Sequence, residues 1–160
     1  VLSCAMLLTC CCYHNQPNRG HMQTSSFFLY TGPGRVSIAR FAPRGMGGFR
    51  IFRALAPDKW FNEPPYNSSY DAYRKRYESE ILKPLDPQAV HDKLHELAFP
   101  HEPVLLCWEK DPVCNPDEWC HRRIVADWFE SELGIVVPEM KFEIPKKRKR
   151  LPAQASLFDE

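Results

Sequence analysis

A single small α/β domain, with a mainly parallel sheet flanked by helices, is the fold this sequence predicts. Three observations carry it. Val104, Leu105, Leu106, Cys107 and Trp108 form an unbroken apolar run, the pattern of a strand covered on both faces. After a polar loop comes an amphipathic helix whose apolar face is Ile124, Val125, Trp128, Phe129 and Leu133, at helical spacing. A chain of 160 residues with 44% hydrophobic content has room for one real core and some tail.

Upstream, SFFLYTG is expected as a strand ending in the turn Gly32-Pro33-Gly34, and RVSIAR, with Val36 and Ile38 flanking Ser37, as a second one. The Gly- and Pro-dense stretch from Phe41 to Pro65 predicts loops, with a short helical turn near Asp58. Its GMGG lacks the spacing of a phosphate-binding loop. Tyr70 to Leu82 reads as a helix capped by Ser69, its tyrosine stripe facing the core. A further helix opens at Asp86-Pro87 and runs to Leu97. His91 and His95 lie at i and i+4 on it, a spacing that can grip a metal, but no acidic or thiol ligand of the right kind is nearby and they are expected at the surface. The helix after the apolar strand has its start signal at Asn115-Pro116 with Glu118 completing a capping box, and its stop at Gly134. Ile135 to Val137 is expected as an edge strand.

In open α/β sheets, ligands collect outside the carboxyl ends of strands, where helix N-termini face anions. That rim would carry Cys107, Glu109, Lys110, Cys120, His121 and Arg122, joined by Arg40 from the end of the second strand. Cys107 or Cys120 would supply a nucleophile, and Glu109 and His121 a proton-transfer pair. A thiol at a helix N-terminus beside cations has a lowered pKa, which favours Cys120. Ser37, Arg40, Lys110 and Arg122 are the expected phosphate or ligand contacts. A structural zinc through Cys107, Cys114, Cys120 and His121 has enough ligands, but adjacent Cys120 and His121 are awkward for one tetrahedral ion. Neither a metal nor another cofactor is expected.

LLCWEK followed by CHRRIVADWFESELG resembles the signature of the domain-of-unknown-function family 488, a Leu-Leu-Cys-aromatic-Glu strand and a Cys-His-Arg helix. VSIAR at 36–40, the Trp60-Phe61 pair and YDAYRKRYESEILKPLDPQAV at 70–90 support it, and together these span Thr24 to Pro138. The loop between Lys110 and Cys120 is longer than the family pattern and holds Cys114, and FAPRGMGGFR departs from the usual continuation after Arg40. The resemblance implies a fold and a site, and no particular reaction.

Residues 1–21 are read as an extension outside the domain, upstream of the natural start. Their apolar run is about a dozen residues, short of the roughly 20 a membrane helix needs, and they lack the charged region and cleavage site of a signal peptide. Four of the seven cysteines fall in the first dozen residues and three in the motif region, so no disulfide framework is expected and the setting is a reducing cytoplasm. The domain itself occupies 22–140. Net charge is +1, but Lys141 to Arg150 holds six of the 21 basic residues. Residues 141–160 read as a disordered tail whose run Lys146, Lys147, Arg148, Lys149 and Arg150 would bind DNA without sequence preference. Gln154, Ser156, Leu157 and Phe158 resemble the short peptide by which bacterial replication and repair proteins dock on the sliding clamp, with Ala155 where leucine is common. Taken together, the sequence predicts a DNA- or nucleotide-processing protein of repair or replication, delivered by DNA and the clamp and away from membranes, with hydrolysis or glycosyl-bond chemistry as the expected reaction class. The alternative is a non-catalytic DNA-associated module whose cysteines only pack. A Cys107, Cys120 or His121 substitution that spares ligand binding but abolishes turnover separates the two.

Overall fold

The computed structural model describes residues 21–110 and 119–140. Four strands, β1 (Gln23–Ser26), β2 (Arg35–Ser37), β3 (Arg50–Ile51) and β4 (Val104–Cys107), form one sheet in the order β1-β4-β2-β3. Every pairing is parallel, so all four carboxyl ends lie along one edge. β4, the apolar run, is buried at every residue and sits between β1 and β2. Its register sets Cys107 beside Ser26 on one side and Leu106 beside Ser37 on the other.

The first strand differs from expectation. It is QTSS, just upstream of the aromatic run, and Phe27 to Tyr30 fold back in a turn whose Leu29 and Tyr30 amides bond the Ser26 carbonyl. Position in the sheet decides this rather than side-chain apolarity. β4 pairs with β1 on one side, and a bridge from Glu139 to Thr24 covers the other. Phe27 instead packs its ring against Phe49 and Trp108. The edge strand expected at Ile135 to Val137 does not form; that segment joins the sheet only through the Glu139 bridge, held by the Thr24 amide to Pro138 and the Met140 amide to Thr24. β3, two exposed residues, carried no strand pattern at all.

The helices follow their signals more closely. α1 (Tyr70–Tyr77) opens on Ser69, whose hydroxyl accepts from the Ala72 amide, buries Tyr73 and Tyr77, and continues as a π-turn from Glu78 to Leu82. Lys59–Asn62 makes the short turn capped by Asp58. α2 (Pro87–Ala98) opens on Asp86, whose carboxylate accepts from the Ala89 amide at 2.7 Å. Asp86→Ala is expected to cost about 1 kcal/mol, read as a lower denaturant midpoint at unchanged slope. His91, expected at the surface, is buried, with its ring 4.4 Å from that of His95 and edge-on to Phe129. The Val90–Leu94 face of α2 is turned far enough inward to carry it there.

α3 (His121–Leu133) starts later than its sequence signal. Its N-cap is Cys120, in extended conformation and without a side-chain cap, while Asn115, Pro116 and Glu118 lie outside the described residues. It ends at Gly134, whose φ of 68° is the left-handed value that glycine adopts without strain. Ile124, Val125 and Phe129 from α3 join Ile38, Leu55, Tyr77, Leu94 and Leu105 in the main core.

Candidate functional site

The strand order places the site. β4 ends at Cys107, β2 runs on through Ile38, whose amide bonds the Leu106 carbonyl at 3.1 Å, and α3 begins at His121 beneath them. His121 is buried, and its Nε2 lies 3.0 Å from the Ile38 carbonyl oxygen, the geometry of an N–H donating to it. Nδ1 is the ring nitrogen nearer the sulfurs, 3.6 Å from Cys107 Sγ and 4.0 Å from Cys120 Sγ, with Cys107 Sγ also 3.9 Å from Nε2. Four residues expected together, Cys107, Glu109, Cys120 and His121, do meet at one end of the sheet.

Arg122 supports them from behind. Its side chain is fully buried, with Nη2 and Nε donating to the two Glu139 oxygens at 2.8 and 3.1 Å and Nη1 donating to the Glu109 carbonyl at 2.6 Å. Nη1 also lies 3.6 Å from Cys120 Sγ. An arginine so engaged is not available to an anion. Its expected role as a phosphate contact gives way to one of holding Glu139, the Cys120 sulfur and the chain at Glu109 in place.

Burial alone would raise the Cys120 thiol, but hydrogen bonds to Cys107 and His121 and the charge of the imidazole outweigh it and bring that thiol down to about 7. Burial pushes Cys107 well above the ordinary thiol range, and its bond to Cys120 and the Cys120 charge add to the rise. Of the two, Cys120 gives up its proton first. Burial disfavours a charged His121, yet the Cys120 bond and charge prevail and raise it. Glu109, opposed by burial, is held below the usual carboxylate range by the neighbouring thiols and His121. One of its oxygens, Oε2, is buried 4.0 Å from Arg122 Nη1 and has no hydrogen-bond partner among the described residues.

Cys107, Glu109 and His121 line a cleft of ≈ 340 Å³; Cys120 lies beneath it. Arg40 lines it too, with Nη1 bound to Asp58 at 2.7 Å and the guanidinium over the Phe41 ring. Ser37 and Lys110 do not. Ser37 is buried on β2 with its hydroxyl unpartnered among the described residues, and the Lys110 ammonium sits over the Phe28 ring. The walls are what sequence reasoning missed. Phe41, Phe61, Tyr66, Tyr73, Trp108 and Trp119 surround the cleft, with Asn62 and Asn67 beside them. Tyr73 approaches Trp119 at 6.3 Å between centroids, and Trp108 is fixed by its indole N–H donating to the Phe41 carbonyl at 2.6 Å. Burial raises the Tyr73 hydroxyl far above its ordinary value, so it is neutral at any physiological pH.

The basic run 146–150 and the residues Gln154, Ser156, Leu157 and Phe158 lie outside the described residues, as do 1–20. Among the described residues no helix is long and apolar enough to cross a membrane. No curated protein and no solved structure matches the chain. A family model, described as Domain of unknown function DUF488, matches residues 37–129. That span runs from β2 to the middle of α3 and takes in the cleft, its aromatic walls and the sulfur–imidazole cluster. Covering more than half of the sequence, it makes this chain a member of the DUF488 family.

Proposed function

We propose that the cleft takes a single nucleobase-bearing unit, either a free nucleotide or one residue of a nucleic acid strand, and that the protein processes it in DNA repair or replication. The observation that carries this reading is a cleft of ≈ 340 Å³ bordered by six aromatic side chains, with carboxylate, imidazole and thiol at one end and Arg40 among its lining residues. Aromatic faces hold planar bases with little regard to sequence, and a volume at the small end of ligand pockets suits one such unit. An enzyme acting on a base draws it out of the stack into a pocket of this kind. Glu109 and His121 serve as the proton-transfer pair for a hydrolytic or glycosyl-bond reaction, with the sulfur cluster as the reacting centre.

The tail supports the same reading. Lys146 to Arg150 supply salt-sensitive affinity for DNA, and Gln154, Ser156, Leu157 and Phe158 dock on the bacterial sliding clamp. A pull-down with the clamp is expected to capture the full chain and to fail for a form ending at Pro152. Equal capture of both would remove the clamp from the proposal.

The binding reading is tested by titrating the full chain with nucleoside monophosphates, a short single-stranded oligonucleotide and ribose 5-phosphate while following tryptophan fluorescence. The base-bearing ligands are expected to bind and the sugar phosphate is not. Trp119→Ala is expected to weaken them by about 1–3 kcal/mol, roughly five- to 150-fold in Kd. Indifference to the base, or to Trp119, would sink the reading. Tight clamp and base binding with no turnover on any base-bearing substrate would leave a non-catalytic module.

A further inference from the structure

The two sulfurs and the imidazole at the floor of the cleft lie close enough together to share one ion. Cys107 Sγ, Cys120 Sγ and the nearer His121 nitrogen all lie within 4.8 Å of one another. Zinc bonds of about 2.3 Å to sulfur and 2.0–2.1 Å to nitrogen, at the tetrahedral angle, set S···N separations of about 3.6 Å and S···S of about 3.8 Å. The observed separations of Nδ1 from the Cys107 and Cys120 sulfurs are 3.6 and 4.0 Å; Cys107 Sγ is also 3.9 Å from Nε2, so the ring must tilt for Nδ1 to point at an ion. We infer that Cys107, Cys120 and His121 bind a Zn²⁺ ion, and that its fourth position is reached from the cleft.

The surroundings of the three ligands fit the same assignment. A histidine that ligates a metal through one nitrogen is oriented by donating its other N–H to a carbonyl or carboxylate, and His121 Nε2 does so to the Ile38 carbonyl. The Arg122 guanidinium, 3.6 Å from Cys120 Sγ, is the donor a metal-bound thiolate wants beside it. The adjacency of Cys120 and His121, awkward when read from sequence, presents no obstacle. Cys120 is the extended N-cap and His121 the first helical residue, and at that junction both side chains turn towards Cys107.

Two thiolates and one histidine leave a tetrahedral ion one position short, the pattern of catalytic rather than structural zinc. Two of the three ligands border the cleft, so that position opens onto whatever the cleft holds. A water there would be acidified to a pKa of about 7. Glu109, with a buried oxygen that has no hydrogen-bond partner among the described residues, is placed to take its proton. The inference does not depend on what the cleft binds, but it takes His121 out of the proton-transfer pair: with one nitrogen on the ion and the other on the Ile38 carbonyl, Glu109 alone would move the proton.

Full-length protein purified in reductant without chelator is expected to carry one zinc per chain by inductively coupled plasma mass spectrometry. Cys107→Ser and His121→Ala are expected to lose it, while Trp119→Ala keeps it. Should the ligand variants fail to fold, the wild-type chain decides the matter. With zinc exchanged for Co²⁺, it is expected to show tetrahedral d–d bands in the visible and thiolate-to-cobalt charge transfer in the near ultraviolet. Cys114→Ser is expected to keep the metal and the cobalt spectrum. Purified protein holding a Cys107–Cys120 disulfide in place of metal would overturn the inference. So would a cobalt derivative lacking those bands, or loss of the ion in Cys114→Ser, which would mean a closed structural site. Absence of base binding with zinc retained would remove the nucleotide reading and leave this one intact.

Discussion

Arg122→Leu is expected to lower the stability of the fold by about 3–5 kcal/mol, the largest loss from any single polar substitution in the domain. The arginine is fully buried and pairs through two parallel bonds with Glu139, a carboxylate that also accepts from the Thr24 hydroxyl. Removing the cation leaves that carboxylate with Arg123 at 3.9 Å as its nearest opposite charge, and orphans the Glu109 carbonyl as well. The effect should persist in high salt, since a buried pair is poorly screened. Arg122→Lys will not rescue it, because a single ammonium cannot reproduce the fork. Combining Arg122→Leu with Glu139→Gln is expected to recover part of the loss. Denaturant unfolding of the four chains measures all of this, and a loss below about 1 kcal/mol for the first variant would show the pair to be dispensable.

The second large effect is on turnover. Glu109→Gln is expected to reduce the rate on the base-bearing substrate that the binding panel selects by about 10²- to 10⁴-fold, with its affinity little changed. The substitution keeps the shape of the side chain and removes its charge and its capacity to accept a proton. Some stability is lost as well, since the carboxylate lies 4.0 Å from Arg122 and is favoured in its charged form by the neighbouring thiols and His121, so turnover is compared on folded protein. A variant as fast as the parent would take Glu109 out of the chemistry. A variant that binds substrate poorly would make it a contact instead.

Much of the site could be read from sequence because its residues are close in the chain. Cys107 ends one element with Glu109 two residues beyond it, and Cys120 and His121 begin the next. Strand-then-helix order was enough to place all four at one sheet edge. The cleft walls were hidden because they come from segments with no local pattern in common: Phe61 from a short turn, Tyr66 from a loop, Tyr73 from α1 and Trp119 just before α3. Tyr73 was assigned to the core by its helical spacing, and it is indeed buried, yet it also borders the cleft. Spacing cannot separate those two fates. Arg122 illustrates the converse. Its neighbours in sequence suggested an anion contact, and only Glu139, beyond the end of the same helix, fixes where its charge goes. β1 escaped detection for a similar reason, since Thr24, Ser25 and Ser26 are buried by their neighbours in the sheet and not by their own character.

The sheet order β1-β4-β2-β3 also governs how the molecule can come into being. β1 and β2 never touch as neighbours; each pairs with β4, which is made last. A nascent chain emerging from the ribosome therefore holds β1 without a strand partner, and β2 paired only with the two-residue β3, until residue 107 has cleared the exit tunnel, and nucleation must bring together segments far apart along the polypeptide. Such long-range closure is slow and leaves hydrogen-bonding edges open to other chains meanwhile. Synthesis halted before β4 would yield an aggregation-prone fragment rather than a smaller native one.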